Sequence, residues 1–297
     1  MRILMTGADG FVGQHLKLVL RDRGHHIIEW CGPAAANCPV NLLNPSEVAQ
    51  ALEPVIPEVI IHLAAQSSVK HSWTHPQSTF AVNVLGTLNL WEAIRGLPIQ
   101  HFIYISSSEV YGSYGSQPLS EEMPMRPKNP YGISKAAVEQ LLTQLQGASG
   151  QSPRLTIFRP FNHIGPGQSP AFAIPSFVHQ IRNPATKIIR VGDLSVIRDF
   201  LDVRDVVSAY SWAIESPTIS GVYNLCSGVG RSLQEILHDL VRLSNRRDLV
   251  VEQDVQRYRP QEVPVLIGDP RRFERISGWR PRIPWEKTLQ DILTSVN

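Results

Sequence analysis

RILMTGADGFVG, residues 2–13, joins a short apolar run (Arg2 to Thr6) to a glycine-broken turn and then to a segment of helical periodicity. From Phe11 to Arg23, Val12, Leu16, Val19 and Leu20 recur at the spacing of one helix face. The stretch reads as strand, glycine turn, helix, and in that setting Gly7, Gly10 and Gly13 have separate tasks. One glycine permits the tight turn, another lets backbone N–H groups approach a pyrophosphate, and a third allows close packing of helix on strand. The helix N-terminus adds a favourable field for the anion. The turn is therefore a dinucleotide-binding fingerprint, with Phe11 and Val12 among its cofactor-facing residues.

Outward from this turn the pattern repeats. His26 to Trp30 (HIIEW), Glu58 to Leu63 (EVIIHL), His101 to Ser106 (HFIYIS) and Arg154 to Arg159 (RLTIFR) are apolar strand-like runs, while Asn83 to Arg95 and Tyr131 to Gln146 read as helices. Near-continuous apolar strands belong to parallel sheets covered on both faces. The alternation predicts an α/β fold, a doubly wound parallel Rossmann sheet with a smaller C-terminal α/β substrate-binding lobe. Gly112 to Pro130 and Asn162 to Pro170 (NHIGPGQSP) depart from the alternation and read as site-building loops. The dinucleotide-binding domain is expected to span residues 1–160, residues 202–228 to return to its sheet, and residues 161–201 and 229–297 to form the lobe.

Composition narrows the function classes. A chain of 297 residues, 42% hydrophobic and 18% charged, is neither disordered nor too small for a large core. Its 28 Lys and Arg against 26 Asp and Glu leave a net charge of +2, with basic residues scattered and no run longer than pairs such as Arg246-Arg247, so no nucleic-acid partner is expected. No apolar run approaches the roughly 20 residues of a membrane helix, and Met1 leads directly into a strand-like segment. A soluble, cytoplasmic location is the expectation. Cys31, Cys38 and Cys226 form no Cys-x-x-Cys pair, which suggests a reducing compartment and neither a disulfide framework nor a zinc site. His71 and His75 are four apart, but Pro76 follows and no third ligand is evident, so no metal is expected.

Tyr131 and Lys135 lie one turn apart on one helix face. An ammonium beside a phenol lowers its pKa from about 10 toward the working range, making the tyrosine a competent proton donor or acceptor for a carbonyl or alcohol. Ser107, in the Ser106-Ser107-Ser108-Glu109 cluster, ends a parallel strand where doubly wound folds hold their ligands, and can bond the same oxygen. The ribose selector at the end of the second strand is undecided. Glu29 is equally suited to a ribose hydroxyl or to a solvated strand end, and Trp30-Cys31-Gly32 supplies neither an Asp nor an Arg.

TGADGFVG, HLAAQSS, SSSEVYG, NPYGISK, RPFNHIGPGQ, RDFLDVRD and RPQEVPVLIGD occur in that order, and through them the chain resembles the extended short-chain dehydrogenase/reductase family along nearly all its length. The resemblance implies that Tyr131 is the general acid/base, that Lys135 tunes it and holds the nicotinamide ribose, and that Ser107 orients the sugar oxygen. It further implies that Leu42, Leu63, Ala64, Ala65 and Asn83 lie against NADP or NAD, and that Ser67 and Ser108 touch the hexose; Lys70 nearby is read as either a hexose contact or a solvated charge. NHIGPGQ, VGDLSVIRDF and RPQEVP look most like the branch that reduces a GDP-linked 4-keto-6-deoxyhexose, which places Asn162, Arg198 and Arg259 at the substrate diphosphate and Glu262 near the nucleotide ribose. Guanidinium groups suit that task through paired bonds to phosphate oxygens. His163 is open to either ligand contact or packing.

Dehydratases of the family use a Glu at the place of Glu109 to remove a C5 proton, so a GDP-mannose type 4,6-dehydratase is the alternative; Ser108, where dehydratases often have Asp, leans to the reductase. A noncatalytic dinucleotide-sensing regulator would typically lack Tyr131 or Lys135. The family also implies a homodimer, paired through the helices Asn83 to Arg95 and Tyr131 to Gln146.

Overall fold

A computed structural model describes residues 1–148, 152–258 and 260–295. In chain order the elements are β1 (Arg2–Thr6), α1 (Phe11–Asp22), β2 (His26–Trp30), α2 (Pro45–Leu52), β3 (Val59–His62), α3 (Val69–Thr74), α4 (Pro76–Phe80), a π turn (Ala81–Leu85), α5 (Gly86–Ala93), β4 (His101–Ile105), α6 (Pro130–Ala148) and β5 (Arg154–Pro160). They continue as β6 (Asn162–Ile164), α7 (Ala173–Arg182), β7 (Ile188–Val191), β8 (Ile197–Asp202), α8 (Val203–Glu215), β9 (Gly221–Leu225), β10 (Gly230–Ser232), α9 (Leu233–Ser244), β11 (Val250–Gln253), β12 (Val265–Leu266), α10 (Arg271–Ser277) and α11 (Trp285–Thr294).

The principal sheet has the order β2-β1-β3-β4-β5-β9. Parallel pairing brings Thr6 beside Trp30 and His62, and His62 beside Tyr104, so the carboxyl ends of the central strands share one edge. The order reverses direction at β1, and the crevice beyond such a switch point is where open α/β sheets take ligands. Phe102, Ile60, Leu4, Trp91 and Leu155 form the core of this sheet and its helices. Each such side chain contributes roughly 2 kcal/mol on burial.

The chain divides into two compact units. One comprises residues 1–112, 121–160 and 207–224, and holds the six-stranded sheet. The other comprises residues 113–120, 161–206 and 225–297. It carries β8 flanked by β10 and β12, with β6 also on β8, and a β11-β7 pair. Its own core gathers Phe177, Ile189, Phe200, Leu240 and Ile292. A capping box in which Ser232 and Glu235 satisfy each other's backbone N–H groups starts α9. Among the described residues, no helix is long and apolar enough to cross a membrane.

One helix differs from its expected course. The helix read from Asn83 to Arg95 is an α-helix only over Gly86–Ala93, with Asn83 inside the preceding π turn. The Thr87 hydroxyl donates to the Asn83 carbonyl at 2.6 Å, drawing that oxygen from the ordinary helical ladder. Wider turns of this kind recur at functional sites.

Candidate active site

Gly7 follows β1 in the left-handed region, φ 68°. A Cβ there would sit 2.8 Å from the Ala64 backbone nitrogen, so the loop after β3 and the turn after β1 approach as only glycine allows. At Gly13 an added Cβ would lie 2.4 Å from the Gly7 carbonyl, which is the close helix-to-strand contact read from the sequence. Gly10 enters α1 with no side-chain cap and no acidic residue in the first turn. A helix N-terminus that opens from a glycine-lined turn of this kind fits a pyrophosphate.

A buried polar relay fixes this turn against its neighbours. Thr6 Oγ1 bonds His62 Nδ1 at 2.7 Å and accepts from the Ala64 N–H at 3.2 Å, while His62 Nε2 bonds Thr87 Oγ1 at 2.9 Å. Burial first, and then repulsion from Lys135, pushes His62 down to about 3, so it is neutral. Asn83, buried, accepts from the Gln66 N–H at 2.8 Å and donates to the Gln66 carbonyl at 3.1 Å and to Ser134 Oγ at 2.9 Å. Its amide thus shapes the Leu63–Ala65 loop by holding the next residue. Leu42 lies under Gly86, with its carbonyl accepting from Asn89 at 2.8 Å. Ser67 and Lys70 are exposed, and Ser68 caps α3.

Ser107, Tyr131 and Lys135 come together at the end of β4. Tyr131 and Lys135 stand in the first turns of α6, both buried, and the Ser107 hydroxyl, which accepts from the Glu109 N–H at 3.2 Å, is near enough to the Tyr131 phenol to lower its pKa. The protonation pattern corrects the sequence expectation. Burial pushes Tyr131 up to about 12, with the Ser107 hydroxyl opposing and the Glu109 carboxylate adding to the rise. Lys135 is pushed down to about 7 by burial, against the pull of Glu139, and this lowering weakens its hold on the phenol. Its Nζ donates to the Ile105 carbonyl at 2.7 Å and lies 4.9 Å from the Tyr104 ring centre.

Glu109 is held by a residue the sequence reading passed over. Asn129 donates from Nδ2 to the Glu109 carboxylate at 2.7 Å, and its Oδ1 accepts from the Gly132 N–H at 2.8 Å as α6 begins. Gly132 has no room for a side chain, since a Cβ would lie 2.5 Å from the Glu109 carbonyl. Ser108 is buried beside them. The motif NPYGISK carried this signal, because an Asn three residues before a helical N–H is a capping pattern.

Glu29 is turned to α1, where it pairs with Lys17 at 3.3 Å and with Arg21. At the end of β2 stand instead Asp9, whose Oδ1 accepts from the Gly32 N–H at 3.3 Å, and the thiols of Cys31 and Cys38, 2.7 Å apart. Glu29, Cys31 and Cys38 are the one group of three potential metal ligands found among the described residues, but the two ion pairs engage the carboxylate. His71 and His75 stack at 4.4 Å outside any such group.

Asn162, Arg198 and Glu262, expected at the substrate diphosphate and nucleotide ribose, belong to the second unit. Arg198, buried on β8, pairs with Glu262 and donates to the Ile197 carbonyl at 2.8 Å. The structure thus joins two residues that the sequence reading assigned to different parts of the substrate. Asn162 is exposed opposite Phe200. His163 bonds the Phe161 carbonyl through Nδ1 at 3.1 Å and is lowered by burial. Arg259 lies outside the described residues.

Comparisons with known proteins agree with this architecture. The profile of the NAD dependent epimerase/dehydratase family matches residues 3–226. A GDP-6-deoxy-D-mannose reductase from Pseudomonas aeruginosa is 36% identical, over 99% of this chain and 96% of its own length. A GDP-6-deoxy-D-talose 4-dehydrogenase from Aggregatibacter actinomycetemcomitans is 32% identical, over 94% of this chain and 92% of its own. The solved structure of RMD from Pseudomonas aeruginosa complexed with NADPH superposes with a TM-score of 0.88 at 35% identity, covering 99% of this chain and 97% of that one.

Proposed function

The chain belongs to the NAD dependent epimerase/dehydratase family, and from that premise we propose that it reduces the C4 keto group of GDP-4-dehydro-6-deoxy-D-mannose to GDP-D-rhamnose. The observation that carries this reading is the buried Tyr131 phenol, beside Ser107 and one helical turn from Lys135, at the sheet edge that also bears the glycine turn. Similarity to the GDP-6-deoxy-D-mannose reductase across nearly the whole of both chains supports the substrate.

In this reading the first unit binds NADH or NADPH and the second binds the GDP moiety. Gly7, Gly10, Phe11, Val12 and Gly13 cradle the pyrophosphate, and Leu42 and Leu63–Ala65 wall the cofactor, with Asn83 acting through the loop it pins. The reduced nicotinamide supplies the hydride. Tyr131, protonated across the physiological range, gives its proton to the C4 oxygen as the alkoxide develops, and Ser107 bonds and orients that oxygen. Lys135 stands behind the phenol as the group that restores its proton. Ser67, Ser108 and Glu109 contact the hexose, Asn162, Arg198 and Arg259 the diphosphate, and Glu262 the nucleotide ribose. For Arg198 this requires substrate to compete with Glu262 for the guanidinium. The active form is a homodimer.

Two incubations test the reading. Purified protein with GDP-4-dehydro-6-deoxy-D-mannose should consume reduced-nicotinamide absorbance, and with GDP-mannose alone should release no keto sugar. Keto-sugar formation from GDP-mannose would transfer the reaction to the dehydratase class, with Glu109 as its base. Product analysis then separates GDP-D-rhamnose from GDP-6-deoxy-D-talose, which differ in configuration at C4. Tyr131→Phe should leave dinucleotide affinity near that of the parent while turnover falls at least about a hundredfold.

A further inference from the structure

A carboxylate occupies the place where a Rossmann fold distinguishes its two dinucleotides. The pyrophosphate sits at the first βα turn, and the adenosine 2′ position is met at the end of the second strand, by an acid for a free hydroxyl or by a base for a phosphate. Glu29, the acid expected there, is engaged by Lys17 and Arg21 on α1. Asp9 bridges the two features instead. It belongs to the glycine turn, whose Asp9 carbonyl is tied by Gln14 Nε2 at 2.9 Å, and its Oδ1 reaches the Gly32 N–H beyond β2 at 3.3 Å.

The chain segment that follows the turn supplies no counter-charge. Between Arg23 and Lys70 the chain contains no Lys or Arg, so the whole segment from β2 through β3 offers no guanidinium or ammonium to a phosphate. On α1, Lys17 and Arg21 are both paired with Glu29. Burial pushes the Cys31 thiol up to about 12, Cys38 adds to this, and the Asp9 and Glu29 carboxylates raise it further.

We propose that Asp9 selects the dinucleotide, accepting a hydrogen bond from the 2′-hydroxyl of NADH and repelling the 2′-phosphate of NADPH, so that this chain works with NADH. The inference rests on reading the first unit as a reduced-dinucleotide site, and it separates this chain from the relative solved with NADPH. A 2′-phosphate brings nearly two negative charges to an acid, and like charges so juxtaposed are strongly disfavoured.

Calorimetric titration of the intact protein with NADH and with NADPH, without sugar substrate, tests it directly. NADH should bind at least about tenfold tighter, a difference of about 1.4 kcal/mol. Asp9→Asn keeps an oxygen for the Gly32 N–H and removes the charge, and it should tighten NADPH binding until the two affinities are within about threefold. Gly32→Arg is sterically open, since an added Cβ would meet only Asp9 Oδ2 at 3.9 Å, and it should move the preference further toward NADPH. Equal binding of the two dinucleotides by the parent, or a ratio unmoved in Asp9→Asn, overturns the selector while leaving the proposed reaction intact. Binding of neither overturns both.

Discussion

Lys135 and His62 are two buried bases whose burial sets opposite tasks. Lys135, lowered to about 7, sits where a small pH change alters its charge, and it is the group behind the Tyr131 proton. Activity is therefore expected to fall as pH rises through the neutral range, because the neutral amine can no longer return a proton to the phenol. A kcat/KM profile for the keto-sugar reduction checks this, and in Lys135→Arg the alkaline limb should move upward since a guanidinium stays charged. His62 and His101 are held down to about 3 by burial, with repulsion from Lys135 and Arg154 respectively adding to the effect. A base with a depressed folded pKa leaves stability complete above its unfolded value of about 6.5 and removes it as pH falls toward 3. Urea unfolding at pH 7 and pH 5 should differ by about 2 to 4 kcal/mol, with the smaller stability at pH 5. In the His62→Asn variant that difference should shrink.

The start of α6 shows how one element coordinates several groups. Its Tyr131 and Lys135 are aimed by the helix, while Asn129 caps it and holds Glu109, and Gly132 admits the Glu109 backbone. Asn129→Ala should cost about 1 kcal/mol of stability by loss of the cap. Turnover should fall more than substrate affinity, because the Ser107–Glu109 segment is no longer tied to the helix that carries the phenol; steady-state kinetics with thermal melts separates the two effects. A conservative Asn129→Ser, which retains a capping oxygen but not the amide donor, should recover stability without recovering turnover. Gly132→Ala should be more damaging than either, since the new methyl would meet a backbone carbonyl instead of a flexible side chain.

The whole molecule leaves an apolar strip on the helices near the site. Leu85 is 55% exposed in the π turn, and Ile133 and Leu141, 45% and 36% exposed, lie on α6. If these side chains form one self-complementary face, they close a two-fold dimer, which is the expectation to be tested. Sedimentation velocity should give a dimer for the parent chain. Ile133→Glu combined with Leu141→Glu should give a folded monomer, with unaltered secondary structure by circular dichroism.

The sheet, the glycine turn and the pair Tyr131 and Lys135 were legible in the linear sequence because each depends on near neighbours. Apolar runs specify strands, a four-residue step specifies one helix face, and Gly7 at φ 68° answers a local conformational demand. The break in the helix at Asn83 was not legible, since it depends on Thr87 competing for a carbonyl and on Gln66, 17 residues away. Nor was the direction of the phenol's pKa, because a four-residue spacing shows that an ammonium is near but not that both groups are buried. The pairing of Arg198 with Glu262, 64 residues apart, and the turning of Glu29 toward α1 likewise belong to tertiary structure. Local periodicity and backbone freedom are properties of short segments, and the sequence determined them alone. Burial, charge partners and the direction a carboxylate faces are set only when distant segments pack, and those three decided which atoms of this site are free to act.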